Sequence, residues 1–164
     1  VGAESGDDEI LARIDKGVTS DEMIALCAKP QEAGIALSIT VITGLGGRRL
    51  MERHAKSTAR LLDAIRPKYA AALTLMLEPR DPPFAVAFGD PDFRPLSPEE
   101  SLVECRLLLS EMGADGIVFR SNHASNYVSL AGDLTRDKAR LLAQIDRALA
   151  NPGESFRPEF MRGL

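Results

Sequence analysis

Residues 35–47, IALSITVITGLGG, join an alternating segment to a glycine-rich turn. Two sets of side chains alternate through residues 35–43: bulky aliphatic Ile35, Leu37, Ile39 and Val41, and Ala36, Ser38, Thr40 and Ile42. A period of two predicts a β-strand, because successive strand side chains point to opposite faces. The glycine turn leads into a predicted helix from about residue 48 to 65, which Pro67 ends. Strand, turn and helix form the unit from which the fold is predicted.

The same unit recurs along the chain. Thr19 with Glu22, and Ser97 with Glu100, have the spacing of capping boxes, so each pair predicts a helix start. We expect a strand end at residues 1–6, helices at 7–16, 19–33, 48–65, 97–112 and 135–150, strands at 35–43, 70–77 and 117–120, and loops at 78–96 and 121–134. Such alternation predicts parallel strands joined by right-handed crossovers.

The two long strands decide between two kinds of parallel sheet. Each has a bulky aliphatic face and a face of small or hydroxyl residues, with Leu73, Leu75 and Leu77 opposite Ala72, Thr74 and Met76 in the second. A doubly wound sheet needs two strongly apolar faces, whereas a barrel packs one face on outer helices and turns the other to its centre. The predicted fold class is therefore α/β, a partial (β/α) barrel fragment with parallel strands and outer helices.

Composition limits the classes of function. The 164 residues, 45% hydrophobic and 27% charged, predict one globular domain at 1–150 and an irregular tail at 151–164. The net charge of −4 does not indicate nucleic-acid binding, and no apolar run is long enough to predict a membrane span. Cys27 and Cys105 lie far apart in helical segments, so we expect packed thiols rather than a disulfide or metal site, and a cytoplasmic setting.

Polar residues and glycines concentrate where the predicted strands end. These ends are residues 4–6, 43–47, 78–81 and 120–127. In (β/α) barrels the site forms at the C-terminal ends of the strands. The glycine turn at 44–47 permits close approach of a ligand to the backbone, or it only tightens a strand–helix connection.

Residues 121–127 carry four hydrogen-bonding side chains and an aromatic ring, which indicates either a site or a solvated surface loop. His123 is the candidate catalytic residue, since histidine exchanges protons near neutral pH. A Ser/His/Asp triad can be drawn from Ser121, His123 and Asp133, although no nucleophile-elbow pattern accompanies it. His54, within a predicted helix, is either a functional residue or a histidine bonded to a neighbouring carbonyl.

Residues 1–11 with Lys16-Gly17-Val18-Thr19 are similar to the fourth strand and following helix of proteins of the radical S-adenosylmethionine (radical SAM) superfamily. Residues 32–35 leading into 44–47 are similar to the fifth strand and its glycine turn, and residues 73–79 to the sixth strand. Residues 119–127 and the Arg-Gly-Leu ending resemble one bacterial branch. The order and spacing of these segments, which cover nearly the whole chain, carry the resemblance.

The resemblance implies roles for individual residues. Glu4 would contact the ribose hydroxyls of S-adenosylmethionine, and Lys16 would pair with its methionine carboxylate. The cofactor-binding set implied in this way is Glu4, Ser5, Lys16, Ser38, Thr40, Gly44, Gly46, Gly47 and Thr74, with residues 75–77 behind the adenine. Substrate-side or structural roles would fall to His54, Ser121, Asn122 and Asn126.

Two features depart from the superfamily pattern. The Cys-x3-Cys-x2-Cys motif that holds the 4Fe–4S cluster does not occur, so we expect a fragment whose parent supplies the cluster, and which alone does not cleave S-adenosylmethionine. Similar sequences also favour Gly-Thr-Pro where this chain has Arg80-Asp81-Pro82.

Two other classes of function stay open. One is a non-catalytic binding or scaffold module of barrel origin, and the other a hydrolase that uses His123. The substrate of the radical reaction is not implied by the resemblance. We expect the strand edge near Val1 to pair with a second copy, giving a homo-oligomer.

Overall fold

The chain forms one mixed α/β layer structure. The computed structural model describes residues 1–77 and 84–163. Its strands are β1 (Gly2–Glu4), β2 (Ser38–Thr43), β3 (Tyr69–Thr74), β4 (Val118–Ser121) and β5 (Leu130–Asp133). Its helices are α1 (Asp8–Arg13), α2 (Ser20–Glu32), α3 (Gly47–Ile65), α4 (Phe84–Ala87), α5 (Pro98–Glu111), α6 (Leu134–Ala150) and α7 (Pro152–Ser155), followed by a 3₁₀ turn at Glu159–Met161.

The strands form a single sheet in chain order, β1-β2-β3-β4-β5. Pairing is parallel from β1 to β4, and β2 and β3 are in register from Ser38 opposite Tyr69 to Thr43 opposite Thr74. The final pair, β4 with β5, is antiparallel. The α/β class and the parallel arrangement of the predicted strands are therefore confirmed.

Helices cover one face of this sheet. The main core joins strand side chains to side chains of α2, α3, α5 and α6; its strand members are Ala3, Ile39, Val41, Ala70, Ala72, Phe119 and Leu130. Among the described residues, the other face is covered only near the end of β2, where Ile42 packs against a second, smaller cluster of Ile10, Leu45, Leu50, Phe88 and Phe93. None of the side chains on this face is buried; they include Ser38, Thr40, Ile42, Tyr69, Ala71, Leu73, Val118 and Arg120. The result is a two-layer structure with one largely open sheet face.

The predicted faces are confirmed for β2, which occupies residues 38–43 of the predicted 35–43, but β3 occupies Tyr69–Thr74 rather than 70–77 and its faces are reversed. Leu37, Ile39 and Val41 are buried under the helices, as expected. In β3 the small residues Ala70 and Ala72 are buried instead, and Leu73 lies on the open face. Register explains this, because Ala72 lies beside Val41 and must share its face.

Three further segments differ from the predictions. Part of the predicted loop 121–134 forms β5, a strand with a glycine in its middle and little periodic signal of its own. Part of the predicted loop 78–96 forms α4, where Phe84 and Phe88 stack and Phe93 packs edge-on against both. The tail expected to be irregular contains α7 and the 3₁₀ turn. The predictions for residues 78–83, including Arg80-Asp81-Pro82, lie outside the described residues.

Candidate functional site

The C-terminal edge of the sheet carries a buried polar layer. Thr43, Thr74 and Ser121 end β2, β3 and β4, and all three are buried on the helix-covered side. Further buried polar residues meet them there: His54, Ser101, Glu104, Ser125 and Asn126. Because buried polar groups are costly unless they are paired, this layer marks the edge as specialised rather than as ordinary core.

Glu104 connects the glycine turn to α3. Its Oε2 accepts a hydrogen bond from the amide of Gly44 at 2.6 Å, and its Oε1 lies 2.8 Å from Nδ1 of His54. The side chains of Glu104 and His54 are 1% and 3% exposed. His54 therefore pairs with a carboxylate rather than a helix carbonyl, and its Nε2 has no partner among the described residues.

The polar loop 121–127 fastens the end of β3. Asn126 accepts from the hydroxyl of Thr74 at 2.9 Å and donates to the carbonyl of Ala72 at 3.0 Å. The hydroxyl of Ser125 accepts from the amide of Thr74 at 3.3 Å. Thr74 and Asn126, predicted as a cofactor residue and a substrate-side residue, are thus brought together by direct contact.

The C-terminal tail folds back over the same loop. A single nitrogen of Arg157 donates to the carbonyls of His123, Ala124 and Asn126 at 2.8–3.0 Å. Arg162 donates through Nε to the carbonyl of Ser125 at 2.7 Å, and its guanidinium lies 3.9 Å from the ring centre of Tyr127. The tail is therefore an ordered wall of this edge.

A cavity of about 240 Å³ lies between the strand ends and the tail. Its lining includes Gly44, Thr74, Leu75, Ser101, Tyr127 and Arg162. A second, water-sized cavity of about 10 Å³ shares Thr74, Ser101 and Tyr127 with it. The larger of these two cavities lies at the strand ends, where the sequence predicts a site.

A second group of predicted residues lies at the end of β1. Nζ of Lys16 lies 3.1 Å from Oε1 of Glu4, and the two side chains are 27% and 24% exposed. Glu4 has a φ of 63°, and its side chain folds back over Gly2, where an added Cβ would collide with its carboxylate. Since neighbouring Ala3 is buried under the helices, this ion pair lies on the open face.

The other predicted residues are dispersed. Thr40 lies on the open face beside β1, whereas Ser38 is exposed at the opposite, N-terminal end of β2. The buried hydroxyl of Ser5 accepts a hydrogen bond from the amide of Asp7 at 3.0 Å. A Cβ on Gly46 would lie 3.2 Å from that of His54, and one on Gly47 would lie 2.8 Å from the carbonyl oxygen of Arg94.

The predicted catalytic histidine closes a tight turn. Nδ1 of the exposed His123 lies 3.0 Å from the hydroxyl of Ser125. Asn122 is exposed beside it, whereas Ser121 is buried and its hydroxyl contacts the thiol of Cys105. Asp133 caps α6 by accepting from the amide of Thr135. No hydrogen bond joins Ser121, His123 and Asp133, all of which lie in the described part of the chain.

Charged residues beside α1 form a surface network. Arg53 holds Asp7 at 2.6 Å and Glu9 at 2.6 Å. Burial alone would raise the pKa of Asp7, but hydrogen bonds from Arg53 and from the amide of Ile10 hold it below the ordinary value. Asp7 also accepts from the amides of Glu9 and Ile10, so it caps α1.

Sequence reasoning missed Glu104, Ser125 and Arg162. Glu104 had a readable signal, because it lies one turn before Leu108 on the apolar stripe of α5, where an acidic side chain needs a partner. Arg162 had no such signal, because the groups that it contacts belong to the polar loop, 35 residues earlier in the chain.

The thiols show no metal-site geometry. Cys27 and Cys105 are both buried and free, and burial raises the pKa of each. Within residues 1–77 and 84–163, no cluster of three or more His, Cys, Asp or Glu side chains is close enough to hold a metal ion. Nor does any helix there combine the length and apolarity needed to cross a bilayer.

Comparisons of the chain with protein-family models, with curated proteins and with solved structures found no match. The class that the fold and site define is a mixed α/β protein with a mostly parallel sheet and a polar strand-end cavity.

Proposed function

We propose that this chain is the later part of a radical SAM enzyme, a partial (β/α) barrel that contributes walls for S-adenosylmethionine and for a substrate. The observation that carries the proposal is the winding of the sheet. Strands β1 to β4 follow one another in chain order, and the helices of the main core cover one face, while the smaller cluster reaches the other face only at Ile42 in the described part of the chain. In a doubly wound sheet the spatial order of the strands reverses partway along the chain, and helices cover both faces. In a barrel each new strand is added beside the previous one in the same direction around the sheet.

The open sheet face supports this proposal. It carries Ser38 and Thr40 from β2 and Ala71 from β3, and it leaves these side chains only partly covered or exposed. In a barrel that face would turn to the centre, where small and hydroxyl side chains leave room for a ligand.

The residues at the end of β1 fit the cofactor best. Glu4 offers a carboxylate to ribose hydroxyls, and Lys16 offers an ammonium group to the methionine carboxylate; the two already lie 3.1 Å apart and are open to solvent. Thr40 extends the same face from β2. Gly44 would contribute shape rather than a hydrogen bond, because its amide is already bonded to Glu104.

The radical chemistry would depend on a 4Fe–4S cluster, for which these residues supply no ligands. S-adenosylmethionine, reduced by a 4Fe–4S cluster, supplies a radical that abstracts hydrogen from a substrate. Since Cys27 and Cys105 are the two cysteines of the sequence and lie apart in buried positions, another segment would have to hold the cluster. Such a cluster and two free thiols both suit a reducing, cytoplasmic setting.

The proposal is tested on the complete gene product. It is loaded with iron and sulfide under nitrogen, reduced, and assayed for deoxyadenosine from S-adenosylmethionine. Lys16→Ala should weaken S-adenosylmethionine binding by about tenfold or more, since a charge-assisted hydrogen bond contributes roughly 1.5–3 kcal/mol. Lys29→Ala, which removes an exposed lysine from α2, is the matched control and should bind as the wild type does.

Two results would contradict the proposal. A gene product without a three-cysteine cluster motif would end the enzyme interpretation and favour the scaffold module. Equal binding by the Lys16→Ala and Lys29→Ala proteins would remove the end of β1 from the cofactor site.

A further inference from the structure

Arg162 brings an unsatisfied hydrogen-bond donor to the strand-end cavity. Its side chain is only 3% exposed, and it lines the cavity of about 240 Å³. Nε donates to Ser125, and Nη1 donates to Tyr127 and to Glu159. Nη2 is buried and has no hydrogen-bond partner among the described residues. Burying an N–H group without a partner costs free energy, so Nη2 requires a hydrogen-bond acceptor.

Other polar groups around the cavity are already engaged. The hydroxyl of Thr74 donates to Asn126, that of Ser101 donates to the carbonyl of Ser97 at 2.9 Å, and the amide of Gly44 donates to Glu104. Among the described residues that line the cavity, Nη2 of Arg162 is therefore the donor that still lacks an acceptor.

The remaining lining is apolar apart from Glu159, whose carboxylate pairs with Nη1 of Arg162. Its apolar part consists of Leu75, Met76, Leu77, Pro95, Leu96 and the ring of Tyr127. The volume is somewhat below the roughly 300–1,000 Å³ of sites that enclose drug-sized molecules. The occupant that suits these walls is a small molecule with an apolar body and one oxygen-bearing end, smaller than S-adenosylmethionine.

The charge of Arg162 favours a carboxylate oxygen over a neutral oxygen as the acceptor that a bound molecule would offer. The buried guanidinium is balanced by Glu159, whose side chain is 69% exposed, so water screens that partner. Arg162 holds the pKa of Glu159 below its ordinary value, which keeps this partner ionised. Guanidinium groups pair preferentially with planar carboxylates, which can use two N–H donors at once.

We propose that this cavity binds a small organic acid, with its carboxylate on Nη2 of Arg162 and its apolar body against Leu75 and Leu96. The inference rests on the cavity and on Arg162, not on the cofactor proposed for the end of β1.

The test compares two probes on the complete chain. The first is 3-phenylpropanoate and the second is 3-phenylpropanamide, its neutral analogue, each titrated while the amide signals of Gly44, Thr74 and Leu75 are followed by NMR. We expect the acid to bind at least about tenfold more tightly than the amide. Equal affinities, or no binding of the acid at concentrations on the order of 10 mM, would overturn the inference.

Two variants separate Arg162 from the shape of the cavity. Arg162→Gln should remove the preference for the acid. Because that change also weakens the docking of the tail, Glu159→Gln provides the independent variant: it frees Arg162 from its carboxylate partner while it keeps the size of the side chain. We expect Glu159→Gln to bind the acid several-fold more tightly and the amide unchanged; unchanged acid binding would count against the inference.

A competition experiment separates this cavity from the cofactor site. S-adenosylhomocysteine is added to the chain saturated with 3-phenylpropanoate. Retention of the acid supports two distinct sites. Displacement would assign the cavity to the cofactor and overturn the inference, while leaving the proposed function in place.

Discussion

The carboxylate of Glu104 on α5 joins the imidazole of His54 on α3 to the amide of Gly44, at 2.8 Å and 2.6 Å. One buried side chain thereby connects two helices to the turn that ends β2. The turn at the centre of the strand-end edge is thus held from beneath by a carboxylate as well as by its glycine backbone.

Removing this carboxylate should be costly. Glu104→Leu leaves the amide of Gly44 and Nδ1 of His54 without partners, and we expect a loss of about 3 kcal/mol or more in the free energy of unfolding. Glu111→Leu, at an exposed position of the same helix, should change it by less than about 0.5 kcal/mol. Urea denaturation measures both.

The double variant His54→Leu/Glu104→Leu tests whether the two residues act together. Since each is the other's partner, the double variant should lose less stability than the two single variants combined. Strict additivity would contradict the coupling.

Gly6 should not tolerate a side chain. A Cβ at this position would lie 2.7 Å from Cα of Thr58 and 2.6 Å from the carbonyl carbon of Ser57, both of them backbone atoms of α3. Gly6→Ala must therefore push α3 from the end of β1, at a cost of about 1–3 kcal/mol. Gly153→Ala, which meets no atom within 4 Å, is the control. Equal thermal midpoints for the two variants would refute this packing.

Arg157 should keep the tail docked. Its guanidinium donates to three carbonyls of the polar loop, and its amide donates to the carbonyl of Tyr127 at 2.7 Å. Arg157→Gln should accelerate hydrogen exchange in residues 156–163 by about tenfold or more, because local opening then breaks fewer bonds. Arg147→Gln, on the exposed side of α6, should leave that exchange unchanged. If both variants exchange alike, another contact holds the tail.

The free energy of unfolding should decrease at alkaline pH because of the ionisation of the Cys105 thiol. Burial, with a smaller contribution from the charge of Glu104, raises the pKa of its thiol to about 12. Above about pH 9 the unfolded thiol releases its proton while the folded one retains it, so the unfolded state binds fewer protons and unfolding becomes easier. The contribution is about 1 kcal/mol per pH unit between about pH 9 and the folded pKa.

Substitution isolates that contribution. Denaturation of Cys105→Ala should depend less on pH above about pH 9 than denaturation of the wild type. An identical slope for the two proteins would show that other groups cause the loss.

Local signals predicted the helix starts well. The capping boxes of Thr19 with Glu22 and of Ser97 with Glu100 are both present, because each is made within four residues of the chain. The strand at 38–43 was equally readable from its alternation. Residues 35–37 were included in error: Ile35 is exposed and precedes the point where β3 begins to pair with β2.

Contacts between distant residues could not be predicted in this way. The burial of Ala72 rather than Leu73 depends on register with β2, and β5 depends on β4 as a partner. His54 and Glu104 are 50 residues apart; the position of Glu104 on an apolar stripe indicates that it needs a partner, but not that the partner is His54.

The sequence by itself determined helices α1, α2, α3, α5 and α6 and the strand with the clearest alternation, because capping and periodicity act over a few residues, and the repeated succession of strand and helix indicated parallel strands. Only the tertiary structure decided which sheet face is covered, which polar side chains meet at the strand ends, and that Arg162 encloses a cavity there. Those properties depend on close packing between segments far apart in the chain, and packing is selected by the shape of both partners together.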